Sequence, residues 1–219
     1  MLRHTNLIFF IFIFTTVTMA TQCSKEDVPA ARQQFSDKVN ISPYKKHYNV
    51  NDTLWINYTT SSKTFFDSVS NRRLPTNTIK FRFGAVLLPK YGTPSNPSDG
   101  FCSFILPSNI TLNYYTSQSG TSVFFEVGCD NSIQYNIKIG VILKYQGIYV
   151  LNLLDAITLE PCINETNPYP RARVQFFYNL AYCNSDVYLS IPSTSRQEFP
   201  VGFTEGQIRN KVAFALQVQ

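Results

Sequence analysis

Several stretches of this chain alternate apolar and polar residues one for one. That period of two confines them to half-buried β-strands, because successive side chains of a strand point to opposite faces. Leu54, Ile56 and Tyr58 alternate with Thr53, Trp55 and Asn57, and Ile79, Phe81, Phe83 and Ala85 alternate with Lys80, Arg82 and Gly84. Ile133, Tyr135, Ile137, Ile139, Val141 and Leu143 alternate with Gln134, Asn136, Lys138 and Gly140. Ala172, Val174, Phe176 and Tyr178 form a fourth run, and Val212, Phe214, Leu216 and Val218 form the last.

Turn residues separate the runs. Ser117-Gln118-Ser119-Gly120-Thr121 predicts a hairpin, and Lys144-Tyr145-Gln146-Gly147 predicts another before the strand at residues 148–153. Residues 91–100, with two Pro, two Gly, Ser and Asn, and residues 160–170, with three Pro, read as surface loops. Helical period is weak throughout, with a short turn of helix near residues 204–209 at most. The pattern predicts an all-β domain of roughly eight to ten short strands, folded as an antiparallel β-sandwich, immunoglobulin-like in outline. A closed β-barrel is the alternative. A membrane-spanning barrel fits less well, because too few runs reach the length it needs. With 44% hydrophobic residues the chain can fill such a core.

The N-terminus is an address. Arg3 and His4 precede an unbroken apolar run at residues 7–14 (LIFFIFIF), too short for a stable span and suited to a secretory signal peptide over residues 1–22. Cleavage after Ala20 is one reading. The other centres on Cys23, followed by Ser24-Lys25-Glu26-Asp27. This cysteine and its neighbours resemble the start of mature Bacteroidota lipoproteins, in which the cysteine is acylated. In that group a Lys and acids after the cysteine resemble a signal for export to the outer face of the outer membrane. The resemblance implies lipidation of Cys23, while the polar, charged residues after it read as a tether over residues 23–44 and the strand pattern as one sandwich domain over residues 45–219. It also implies attachment to the membrane through the lipid, at the cell exterior. Tyr48-Asn49-Val50-Asn51-Asp52-Thr53-Leu54-Trp55-Ile56 is similar to an early strand of such lipoproteins, with Asn51 where Gly is usual. The run at residues 147–151 and the terminal strand at 211–218 are similar to them too. Most such families have no assigned activity.

Four further cysteines, Cys102, Cys129, Cys162 and Cys183, permit two disulfides in an exported chain. Neighbours in a meander tend to lie together, which predicts Cys102 with Cys129 and Cys162 with Cys183. Buried thiols are the alternative. The spacing does not suit zinc, there being no Cys-x-x-Cys and one histidine, His47, beyond the leader.

No catalytic motif is visible: neither Gly-x-Ser-x-Gly nor His-Glu-x-x-His occurs, and no Gly-rich turn leads into a helix. A net charge of +5 without strong clustering does not predict nucleic-acid binding, and no cofactor is implied. Arg72-Arg73 and Lys80 with Arg82 read as charges that discourage edge pairing, and Glu126 reads as a solvated strand position. Trp55, Tyr115, Phe124, Phe177 and Tyr188 fall on the outward phase of their runs and form a candidate aromatic binding face for a glycan or protein. Asn40, Asn51, Asn57, Asn109 and Asn164 begin Asn-x-Ser/Thr sequons, which in a eukaryotic secreted protein would suggest glycosylation. The expected function is therefore non-catalytic: binding, adhesion or envelope architecture at the cell surface or facing the periplasm, with plain secretion as the alternative to a lipid anchor. Two alternatives stand beside it, a secreted carbohydrate-acting enzyme with paired carboxylates and a eukaryotic secreted glycoprotein that binds host proteins.

Overall fold

The computed structural model describes residues 33–95, 97–107, 113–117, 120–156, 159–196 and 203–219, the side chains of 113–117 and of Phe203 excepted. The leader, Cys23, Asn109 and the Tyr115 side chain lie outside the described residues. Seven strands occupy the first part of the chain: β1 (Gln34–Ser42), β2 (His47–Tyr48), β3 (Thr53–Thr59), β4 (Thr64–Asp67), β5 (Arg72–Pro75), β6 (Ile79–Tyr91) and β7 (Cys102–Ile105). Then come β8 (Asn113–Ser117), β9 (Gly120–Val127), β10 (Asn136–Leu143), β11 (Gly147–Leu154), β12 (Leu159–Pro161) and β13 (Arg173–Tyr178). Two short helices, α1 (Ser185–Leu189) and α2 (Phe203–Arg209), precede β14 (Ala213–Val218).

The strands make two seven-stranded sheets stacked as a β-sandwich. The first runs β5-β4-β1-β3-β10-β7 with β13 also on β1, and the second runs β2-β14-β11-β6-β9-β8 with β12 also on β6. Most pairs are antiparallel, while β1 with β13 and β14 with β2 are parallel. The two ladders stay separate apart from an isolated bridge between Ala156 and Val174.

The alternation assigns the faces as expected. Leu54, Ile56 and Tyr58 of β3, and Phe81, Phe83, Ala85 and Leu87 of β6, are buried between the sheets. So are Ile137, Ile139, Val141 and Leu143 of β10. Aromatic rings fill one half of the core. Phe176 lies 4.8 Å from Phe83 and 5.3 Å from Tyr58, both edge-on, and Tyr135 stacks on Phe65 at 5.5 Å. Each such pair adds about 0.5–1.5 kcal/mol beyond the area it buries. The β10 run starts later than its pattern implies: Ile133 is 80% exposed, and pairing begins at Asn136.

Four expectations are corrected. Residues 34–42, read as tether, form β1, which pairs with β13, β3 and β4. Phe35, Val39 and Ile41 face the core, but Asp37 occupies the same inward phase and hides the alternation. The chain does not form a hairpin at residues 144–147. Both edges of β10 are taken, by β3 and by β7, so β11 crosses to the second sheet and pairs with β14 and β6. The disulfide joins Cys129 to Cys162, with Cα atoms 5.5 Å apart. Strands β9 and β12 flank β6 and both pair with Phe81, so the residues just beyond them meet. Cys102 and Cys183 are separately buried thiols. Tyr188, expected on an outward strand phase, is 1% exposed on α1.

Beside the disulfide, the buried Lys63 ammonium donates to the Gly128 carbonyl at 2.6 Å, the Asp130 carbonyl at 2.7 Å and the Asp130 carboxylate. Asp67, 1% exposed, organises the other end of β4. Its carboxylate accepts from the backbone N–H groups of Gln34, Val69 and Ser70 and from the Ser70 hydroxyl at 2.6 Å. Burial pushes the Asp67 carboxyl up, but those four donors outweigh it and hold the group below the usual carboxylate range. A depressed folded pKa stabilises above the unfolded value of about 3.9 and ceases to do so as pH falls through the folded value. Unfolding free energy should therefore decline below about pH 4. The Asp67→Asn variant should show a shallower decline in urea titrations at stepped pH, and an unchanged slope would overturn this role.

Candidate functional site

The outward face of the first sheet collects side chains that have no core to enter. Registers across β13, β1, β3, β10 and β7 place them in rows. One row is Phe177 beside Lys38, another Asn40 beside Asn57 and Lys138, and another Ser42, Trp55, Gly140 and Ile105. Trp55 is half-buried because Gly140 opposes it: a Cβ there would sit 3.0 Å from the Trp55 ring and 3.1 Å from Ile105. The Lys138 ammonium stands 4.4 Å from the centre of the indole. The amides form a line, with the Asn179 amide donating to Asn40 Oδ1 at 3.0 Å and the Asn57 amide donating to Ser42 Oγ at 3.1 Å.

At one end this face dips into a cleft of 480 Å³ bounded by Ser36, Lys38, Phe66, Arg73, Phe177 and Lys211, among others. Ser36 pairs with Phe66 on one side of β1, and Lys38 pairs with Phe177 on the other. The two rings thus flank β1 diagonally, Phe66 level with the small Ser36 and Phe177 two residues further along, level with Lys38. Arg73 is held from behind: Nη2 donates to Asp37 at 2.6 Å and Nε to Thr64 Oγ1 at 2.9 Å. Asp37 in turn accepts from the buried Tyr58 hydroxyl at 3.2 Å. Burial, then the Asp37 charge, holds the Tyr58 phenol far above its ordinary pKa, so it stays a donor. Among the described residues, Asp37 is the sole carboxylate lining the cleft, against three cations.

Of the five aromatic residues expected on one face, Trp55 and Phe177 share it. Phe124 lies on β9 of the second sheet, opposite Gly84. Tyr115 belongs to β8 of that sheet, and Tyr188 is core. Phe66, Lys38, Arg73 and the three Asn residues were not visible as a group, because β1 and β4 were not read as strands. Alternation of Phe35, Val39 and Ile41 was the available signal.

Elsewhere, Glu126 and Glu160 converge on the Lys80 ammonium at 3.0 and 3.2 Å on the second sheet. His47 is exposed on β2, with the Gln219 amide 3.3 Å from its Nδ1. Arg72 and Arg73 lie on β5, at the end of the first sheet's order. Among the described sequons, Asn40, Asn51 and Asn164 are exposed and Asn57 is half-buried. Asn51 and Asn164 adopt left-handed backbone, with φ of 71° and 65°.

No protein-family model matches the sequence, and no curated protein matches it. Among solved structures, the seventh ScaB type I cohesin from Pseudobacteroides cellulosolvens is similar at 9% identity and a TM-score of 0.32, covering 66% of this chain and 87% of that one. A cohesin module of a Clostridium perfringens family 33 glycoside hydrolase is similar at 11% identity and a TM-score of 0.29, covering 65% of this chain and 97% of that one. The lectin domain of PapG from Escherichia coli, in complex with 4-methoxyphenyl β-D-galabiose, is similar at 11% identity and a TM-score of 0.20, covering 67% of this chain and 92% of that one.

Proposed function

We propose that this chain is a non-catalytic binding protein, held by acyl groups on Cys23 at the exterior of a bacterial outer membrane, with the outward face of the first sheet as its contact surface. The observation that carries the binding role is that face: Trp55, Phe66 and Phe177 half-exposed beside a line of amides and a 480 Å³ cleft. Half-exposed rings beside paired amides offer apolar area together with donors and acceptors, as ligand sites do. The anchor rests on the sequence around Cys23. An extended chain spans at most about 3.6 Å per residue, so the eleven steps from Cys23 to β1 would keep the sandwich within about 40 Å of the bilayer.

One experiment separates the two halves of the reading. In cells labelled with a palmitate analogue, Cys23→Ala should lose the label and move the protein from the membrane pellet to the soluble fraction. Trp55→Ala with Phe177→Ala should stay in the membrane yet lose capture of cell-surface polysaccharide or protein on an array by about tenfold or more. Unchanged fractionation of the first variant overturns the anchor, and unchanged capture by the second overturns the face.

A further inference from the structure

We propose that the cleft between Phe66 and Phe177 is a subsite for an acidic saccharide, its carboxylate seated by Lys38, Lys211 and Arg73. The inference rests on the binding face above and names what that face takes.

Charge comes first. Lys38 and Lys211 line the cleft and make no ion pair among the described residues. Arg73 spends Nε and Nη2 on Thr64 and Asp37, leaving Nη1 without a protein partner among the described residues. Asp37 already accepts from Arg73, from Tyr58 and from the Lys38 backbone N–H. Its carboxylate therefore fixes the guanidinium in place and does not neutralise the two lysines. Three donors of one sign around one hollow suit an anionic group, and charge-assisted hydrogen bonds are the strong ones.

Shape narrows the class. The small Ser36 side chain leaves space over β1 beside Phe66, and Phe177 stands two residues further along on the other side of the strand, so the hollow has apolar rings at diagonal corners and a hydroxyl beneath. A pyranose offers the matching surface: C–H faces for the rings and hydroxyls for Ser36, Asn179 and Asn40. The Asn179 amide donates to Asn40 Oδ1, and amide groups, which can both donate and accept, suit hydroxyl groups, which need both. An extended acidic peptide would instead seek an open sheet edge. The outer edge of β13 is closed, because Val174 exchanges bonds with Ala156 and the Tyr178 N–H donates to the Lys211 carbonyl.

The test uses the purified full chain in calorimetric titrations with short oligogalacturonate, with the same oligomer after carboxyl reduction, and with polyglutamate of similar charge. Lys38→Gln and Lys211→Gly remove the charges; the glycine suits the φ of 62° at residue 211. Thermal melting of both variants checks that the fold is kept. The expected result is binding of oligogalacturonate that weakens with added salt, falls about tenfold or more in each variant, and is absent or much weaker for the reduced oligomer. Equal binding of the acidic and reduced oligomers, or variants that bind as wild type, would overturn the acidic subsite while leaving a neutral-glycan face standing. Binding of polyglutamate without oligogalacturonate would overturn the saccharide and point to a protein partner. Binding of none of the three overturns the inference, and the array capture by Trp55 and Phe177 variants reports separately on the face.

Discussion

Phe176→Ala should destabilise the domain by about 3–5 kcal/mol, the range for emptying a well-packed aromatic position. Four rings surround Phe176: Phe83 at 4.8 Å, Tyr58 at 5.3 Å, Phe81 at 6.0 Å and Phe65 at 6.3 Å. They come from β6, β3 and β4, so no single strand can move to fill the space, and rigid rings collapse poorly into a void. The neighbouring Phe177 points the other way and is half-buried. Phe177→Ala should therefore cost no more than about 1 kcal/mol. Urea unfolding of the two variants measures both. A domain of this size loses about 2–4 °C of melting temperature per kcal/mol, so the two should melt about 10 °C apart. Equal losses would mean that β13 sits in a different register or with its faces reversed.

Removing the Cys129–Cys162 bridge has an effect of similar size. The two residues are 33 apart in sequence. Closing a loop of that length restricts the unfolded chain by about 3–4 kcal/mol on the chain-entropy account. Cys129→Ser with Cys162→Ser should show that loss in unfolding experiments, and adding a reductant to the variant should change nothing further. Mass spectrometry of unreduced peptides should find residues 129 and 162 linked. A peptide linking Cys102 to Cys129 would overturn the assignment. Burial pushes the Cys102 thiol up to about 12 and the Cys183 thiol up to about 11. Native-state alkylation near neutral pH should therefore leave both unmodified, since the thiolate is the reactive form, and denaturation should expose them.

The sandwich class was legible because alternation is local. Leu54, Ile56 and Tyr58 report which side of β3 is apolar without reference to any other strand, and the same holds for β6, β10 and β14. Partners were not legible. β10 and β11 are adjacent in the chain yet lie in different sheets, because β3 and β7 already occupy the edges of β10. The cysteine pairing failed for the same reason: Cys129 and Cys162 meet through their shared neighbour β6, and chain order does not encode that neighbour.

The binding face divides likewise. Trp55 and Phe177 could be assigned to outward phases from their own runs. Their presence on one face, and the placing of Phe124 on the other sheet, depended on β1 pairing with β3 along one part and with β13 along the other side. β1 itself was hidden by Asp37, an inward-phase carboxylate that reads as solvent-facing until Tyr58 and Arg73 are seen to hold it. By itself, then, the amino-acid order determined the β period and the apolar side of most strands, since each is written within a few adjacent residues. Tertiary structure decided the strand neighbours, the disulfide and the cleft. Those depend on which edges remain unpaired and which buried charge finds a partner, and such competition is resolved only between segments far apart in the chain.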